Sequence, residues 1–375
     1  MKEPIYLDYN ATTPHDREVI LAMRPYLEEY FGNPSSSHRY GYRAKEAVDN
    51  ARSQVASLLN CKASEIVFTS GGTEANNYAI KGISFTCSQG GGHIITTKIE
   101  HPAVIEVCRF LEDQGFKVTY LPVDEHGIVD IFDLEDAITD KTVLITIMHA
   151  NNEIGTIEPL EEISRIAREK GIIFHTDAAQ SAGKIPVSVD ALGVDLLSVA
   201  GHKIYAPKGV GALYIRDGVN LKKLIHGASH EGDRRAGTEN VLEIVGLGKA
   251  CEIAGRDLKK NMLHMKRMRD RLFKGLLQNL RDVKLNGHPD LCLPNTLSLS
   301  FRGIDSNRLL KEVEENLAVS AGAACHSGKI SYVLEEISVP PEWVNGTIRF
   351  STGKMTTESE IDRAVEVIIG ALGKM

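Results

Sequence analysis

The chain has 375 residues, 42% of them hydrophobic and 25% charged, the profile of an ordinary globular protein with room for a large core. Its 43 basic and 50 acidic side chains leave a net charge of −7, which excludes a basic footprint for nucleic acid or for an anionic membrane surface. The opening MKEPIYLDYNATTP lacks the apolar core of a signal peptide, and no run approaches the roughly 20 apolar residues of a membrane span, so a cytoplasmic protein is expected.

Apolar, β-branched runs recur along the first two thirds of the chain and read as strands: EIVFTS (65–70), HIITTKI (93–99), KVTYLPV (117–123), TVLITIMH (142–149), GIIFHTDA (171–178), DLLSVAG (195–201) and GALYIR (211–216). Between most of them lie segments with helical spacing, such as TEANNYAIKGISF and EEISRIAREKG, the second ending on a glycine suited to a C-cap. Strands alternating with helices predict an α/β fold with a parallel-rich sheet covered on both faces, over residues 15–250. A long helix is predicted from about Asn240 to Leu280, its basic residues forming a solvated face. After it, NTLSLSF, SNRLLKEVEENL, AVSAGAACHSG, GTIRFSTG and ESEIDRAVEVIIGALGK predict a smaller α+β domain. Cys61, Cys87, Cys108, Cys251 and Cys292 have apolar or helical neighbours and read as small buried hydrophobes, with no disulfide framework and no metal site expected.

Ligands of open α/β sheets collect at the carboxyl ends of the strands. FTS runs into GGTEANN, so Gly72 and Thr73 open a helix whose bare N–H groups suit a phosphate, with a plain cap by Thr73 as the alternative. Later strand ends deliver His101, then Asn151, Asn152 and Glu153, then Asp177 and Gln180, then His202 and Lys203. Each alone has a structural explanation: a buried histidine, a turn-forming asparagine, a capping aspartate. Together they bring a phosphate cradle, a carboxylate, an amide, an imidazole and a lysine to one rim. Pyridoxal 5′-phosphate requires that set: a lysine for its aldehyde and an acid for its pyridinium nitrogen. Lys203 would carry the aldehyde and act as base at the substrate Cα, and Asp177 would keep the ring nitrogen protonated.

The ordered series YLDYNATTP, FGNPSSSH, FTSGGTEANN, EHPAV, NNEIGT, HTDAAQSAGK, GHKIYAPKGVGAL, RRAGTEN and IRFSTG resembles the NifS/IscS-type cysteine desulfurases of the class V aminotransferase family, over essentially the whole chain. SAGAACHSG and the Val-Pro-Pro stretch after it are closer to selenocysteine lyases. The resemblance implies a pyridoxal-phosphate-dependent transferase of fold type I. Its large cofactor-binding domain, with a mostly parallel seven-stranded sheet, would span residues 15–250; residues 1–14 and 251–375 would form the small domain carrying the catalytic cysteine. It implies that His101 stacks on the cofactor ring and handles protons, and that Asn152 and Gln180 contact the ring oxygen and the substrate side. Gly72, Thr73 and His202 would hold the phosphate, helped by Thr238 from the other subunit of a homodimer. Arg349 would clamp the substrate carboxylate and Asn33 would line the substrate pocket. The implied activity converts L-cysteine to L-alanine and places the sulfur on Cys325 as a persulfide, for iron–sulfur cluster or thio-cofactor biosynthesis through a scaffold or other sulfur-acceptor protein.

Cys325 lies among small residues bounded by glycines, a composition that reads as a mobile loop able to carry a thiolate. Three features depart from the desulfurase pattern. Ala200 replaces a serine that would reach the phosphate, HGASHEGD replaces a glycine-rich run, and the stretch from Cys325 to SYVL is about two residues short. The rival readings are a selenocysteine lyase acting on L-selenocysteine, an aminotransferase or carbon–carbon lyase on the same fold, and a sulfur-relay binding protein that has lost turnover.

Overall fold

The computed structural model describes residues 3–87, 91–321 and 331–375. After a short strand β1 (Ile5–Tyr6) come two helices, α1 (Arg17–Glu28) and α2 (Arg39–Leu59). Strand β2 (Ile66–Thr69) then begins an alternation: α3 (Gly72–Cys87), β3 (His93–Thr97), α4 (Pro102–Asp113), β4 (Lys117–Leu121), α5 (Ile131–Ala137) and β5 (Thr142–Thr146). It continues through α6 (Leu160–Glu169), β6 (Ile173–Asp177), α7 (Val189–Leu192), β7 (Leu196–Ala200) and β8 (Gly211–Ile215).

These seven strands form one sheet in the order β2-β8-β7-β6-β5-β3-β4. All neighbours run parallel except β8, which is antiparallel to both β2 and β7. The strands β5, β6 and β7 are almost wholly apolar or buried because both faces of the sheet are covered. One face packs on α2, α6 and the first half of α8 (Val241–Asn279), the other on α3 and α4. From β3 the chain steps outward to β4 and then returns to β5 on the opposite side. Crevices open at the carboxyl ends of strands where the order reverses in this way.

Helix α8 runs unbroken through the predicted boundary at residue 250 and packs against α1, α2 and α12 (Glu358–Leu372). Its close approach to α2 depends on Gly248, where a Cβ would lie 2.5 Å from the Ala51 Cα. The remaining strands are β9 (Val283–Asn286), β10 (Thr296–Phe301), β11 (Leu317–Ala318), β12 (Ser320–Ala321) and β13 (Thr347–Ser351). An antiparallel sheet, β12-β13-β10-β9, shares an apolar core with α8, α12 and α9 (Ser306–Val313). Strands β1 and β11 form a separate two-stranded sheet, and Asp8 bridges Ser351 of β13, so the N-terminal segment passes along the second sheet on its way to the large one.

Cys108 and Cys251 are buried, as their neighbours suggest. Cys87 is not: it ends α3 with its thiol exposed, and Cys61 and Cys292 are half-buried. Local apolarity marks the helix but not which of its sides meets the core. Among the described residues no helix is long and apolar enough to cross a membrane, and no three His, Cys, Asp or Glu side chains cluster as a metal site.

The unusual HGASHEGD run has a structural anchor. Glu231, with φ of 49°, turns back to make a two-pronged ion pair with Arg52, at 2.6 and 2.8 Å, and accepts the Phe68 N–H at 2.8 Å. Its carboxylate is almost wholly buried, so Glu231→Ala should strand the Arg52 charge and cost about 3 kcal/mol. A fall in the urea midpoint at unchanged slope is the expected reading.

Candidate active site

Five strand ends, those of β2, β3, β5, β6 and β7, and two flanking segments converge on a cavity of about 280 Å³. Its lining includes Gly72 and Thr73, His101, Asn152, Asp177 and Gln180, His202 and Lys203, and Arg349. That size is near the lower end of small-molecule pockets, roughly 300–1,000 Å³.

The floor is polar. Asp177 ends β6; one carboxylate oxygen accepts the Asn76 amide at 2.6 Å and the other the Ala179 N–H at 2.9 Å. Asn76 lies three residues beyond Thr73 on α3, the spacing that puts two side chains on one helical face.

Past the end of β7, Lys203 turns its amine onto the N-terminal segment, donating to the carbonyls of Asn10 and of Ala11, the latter at 2.9 Å. Burial, reinforced by the Arg349 charge, lowers its pKa from 10.5 to about 8, although Asp177 and Asp8 oppose the shift. Burial, then the neighbouring Lys203 charge, brings His202 down to about 4, so its imidazole is neutral and its Nδ1 meets the Thr12 hydroxyl at 3.2 Å. His101 caps α4 by accepting the Ala103 N–H at 3.1 Å; burial lowers its pKa and Asp177 partly restores it.

Arg349 comes from β13, in the second sheet. It pairs with Asp8 at 2.8 Å and donates to the Asn152 carbonyl at 3.1 Å and the Ser320 hydroxyl at 3.2 Å. Its buried Nε has no partner among the described residues. Gln180 is held from both sides, donating to the Asn10 carbonyl at 3.0 Å and accepting from Lys184 at 2.8 Å.

Two expected residues lie elsewhere in this chain. Asn33 is exposed in the connection after α1, its side chain spent on the Ser35 N–H at 2.9 Å. Thr238 is exposed in the loop before α8. Neither lines the cavity. Cys325 lies outside the described residues. Asn10, Asn76 and Lys184 are additions that the strand-end argument misses. Asn10 precedes the alternating strands, and Asn76 and Lys184 sit a helical turn beyond the residues that mark the site.

Pyridoxal 5′-phosphate fits this donor set. The N-terminus of α3 offers free N–H groups, and Gly72 keeps the approach open, since a Cβ there would stand 3.2 Å from the Ala200 Cβ. Asp177 can face a pyridinium nitrogen while its oxygens stay hydrogen-bonded, and Lys203 is an amine of lowered basicity at the same cavity. Ala200 brings no hydroxyl to the phosphate end.

A doubly covered sheet with this cavity at its strand ends defines a fold-type I enzyme that depends on pyridoxal phosphate. More narrowly, the chain belongs to the aminotransferase class-V family, which matches residues 5–364. It is 50% identical to "Cysteine desulfurase IscS" of Dictyoglomus turgidum over 378 residues, covering 100% of this chain and 96% of that relative. Among solved structures it is similar to a NifS-like protein, with a TM-score of 0.94, 39% identity, and 99% and 100% of the two chains covered. It is also similar to SspA in complex with cysteine, with a TM-score of 0.83, 37% identity and coverage of 95% and 100%.

The lowered pKa of Lys203 has a signed consequence. Below about pH 8 the buried ammonium opposes folding, and that cost is relieved as pH rises from about 8 toward 10.5. Cofactor capture by the apoprotein should therefore quicken with pH and level off above about 8. Stopped-flow absorbance would read this; a rate still climbing at pH 10 would contradict it.

Proposed function

We propose that the chain is a cysteine desulfurase that converts L-cysteine to L-alanine and carries the sulfur on Cys325. The observation that carries the reading is the pairing of two cations at one cavity: the Lys203 amine of lowered basicity and the Arg349 guanidinium, with Asp177 on the floor. That geometry suits an α-amino acid presenting its amine to one and its carboxylate to the other.

Bound pyridoxal phosphate supplies an aldehyde that takes up amines and a ring that withdraws electrons. Gly72, Thr73 and His202 would hold its phosphate, Asp177 would face its ring nitrogen, His101 would stack on the ring, and Asn152 and Gln180 would border its oxygen and the substrate. Arg349 grips the substrate carboxylate with its planar fork, and its unpartnered Nε is an additional donor. Lys203, neutral above about pH 8, removes the Cα proton. The Cys325 thiolate attacks the substrate sulfur, forming an S–S bond as the C–S bond breaks. The electron pair of the broken bond stays with the substrate carbons; Cβ takes up a proton and Cα regains the one that Lys203 removed, which completes alanine.

Support for Cys325 comes from the residues on either side. Ser320 contacts the lining residue Arg349 at 3.2 Å, and Ser331 donates at 2.6 Å to Glu153, the neighbour of the lining residue Asn152, so the described chain lies beside the cavity at both ends of that segment. Cys325 is four residues beyond Ala321, a reach of at most about 14 Å. A persulfide passes its outer sulfur to another thiol by exchange, and an iron–sulfur scaffold or another sulfur-acceptor protein is the proposed recipient.

The working form we propose is a cytoplasmic homodimer. The five described cysteines are free, and sulfur carriage on a thiol suits a reducing compartment. Around α1 and the start of α2, Phe31 and Tyr40 stack with ring centroids 5.4 Å apart while remaining 81% and 57% exposed. Leu21, Leu27 and Tyr42 add to this exposed apolar surface, of the kind a partner subunit covers. In the dimer, Thr238 of one subunit would reach the phosphate of the other. Light scattering should give twice 41.1 kDa, and Phe31→Asp should shift the mass toward the monomer.

The deciding assay measures alanine from L-cysteine under reductant, with L-selenocysteine in parallel. Wild type should form alanine from L-cysteine and Cys325→Ala should form none, while Lys203→Ala should retain no cofactor after borohydride reduction. Alanine from Cys325→Ala at the wild-type rate would remove Cys325 from the chemistry. Alanine from L-selenocysteine alone would make the protein a selenocysteine lyase.

A further inference from the structure

Asn10 is 1% exposed and spends every polar atom. Its N–H donates to the Ser351 hydroxyl at 2.9 Å, and its carbonyl accepts from Gln180 at 3.0 Å and from the Lys203 amine. Its Oδ1 accepts from Lys184 at 3.1 Å and Asn295 at 2.9 Å. Its Nδ2 donates to the Thr296 hydroxyl at 2.8 Å and the Asn152 carbonyl at 3.2 Å. That Asn152 carbonyl is also the acceptor of Arg349, at 3.1 Å. A single residue therefore touches Lys203 directly and Arg349 through one shared oxygen.

The amide has only one workable orientation. Lys184 is 5% exposed, and its described partners are Asn10 Oδ1 and Gln180 Oε1, both acceptors. Lys184 and Asn295 both donate to Oδ1, so a turned amide would set Nδ2 against two donors and Oδ1 against the Asn152 carbonyl. Two buried groups would then lose their partners.

We infer that Asn10 is a positioning residue, holding Lys203 and Arg349 in mutual register through its own and the Asn152 carbonyls, with Lys184 fixing the orientation of its amide. The inference rests on the desulfurase reading for what Arg349 meets, a substrate carboxylate. Its consequence is selective: disturbing Asn10 weakens ligands that carry a carboxylate and spares those that do not.

The test titrates the holoenzyme with L-alanine and with ethylamine, the same amine without the carboxylate, following the cofactor absorbance. Asn10→Asp keeps the side-chain volume and an acceptor for Lys184, but sets an oxygen against the Asn152 carbonyl. It should raise the L-alanine Kd about tenfold, the size of one lost buried hydrogen bond, and leave the ethylamine Kd unchanged. KM for L-cysteine should rise with it, more than kcat falls. Lys184→Met, which frees the amide to turn, should move the L-alanine Kd in the same direction and decides the matter if Asn10→Asp does not fold. An unchanged L-alanine Kd, or equal weakening of both ligands, overturns the inference. Wild-type enzyme that makes no alanine from L-cysteine overturns instead the reading on which it rests.

Discussion

Three basic side chains, Lys203, Lys184 and Arg349, share one buried region with two nearby carboxylates, Asp177 and Asp8, and the rest of the site is arranged around that constraint. Buried ammonium groups must find acceptors or give up their protons. Lys203 does both in part, resting on two main-chain carbonyls with its basicity lowered by burial. Lys184 lies among amide oxygens, where burial pushes its pKa far down. Arg349 takes Asp8 as its ion-pair partner. The crossing segment from Asp8 to Ala11 supplies most of these acceptors, so the second sheet and the large sheet are joined at the cavity.

The same economy explains the neutral imidazoles. With cations already present, His202 cannot add another, and burial beside Lys203 brings its pKa to about 4. His101 is pulled two ways, its charge disfavoured by burial and favoured by Asp177. Of the two compositional departures, one lines the cavity and the other does not. Ala200 lines the cavity without a hydroxyl, and Glu231 anchors the HGASHEGD loop to Arg52 and β2.

Much of this was legible in the chain. The seven apolar runs are the seven strands of the large sheet, because a strand buried on both faces needs no alternation and leaves an unbroken apolar signal. The runs extend past several strand ends: TVLITIMH continues beyond Thr146, where Ile147 and His149 still bond to the neighbouring β6 while the backbone leaves the ladder. His101, Asn152, Asp177, Gln180, His202 and Lys203 meet in one cavity because each follows the carboxyl end of a parallel strand. Asn10, Asn76 and Lys184 were not legible as site residues, since their place depends on contacts with segments far along the chain.

The amino-acid sequence by itself determined the alternating α/β architecture, the lysine and aspartate at their strand ends and the glycine-opened helix, because periodicity and strand-end position are local properties. Only the tertiary structure decided that Arg349 reaches the Asn152 carbonyl, that Asn10 bridges it to Lys203, and that Lys184 is buried among amides. It also left Asn33 and Thr238 outside the cavity of their own chain. Contacts between residues hundreds of positions apart, such as Asp8 with Arg349, exist only once two sheets have packed across a crossing segment, and no short-range pattern records them.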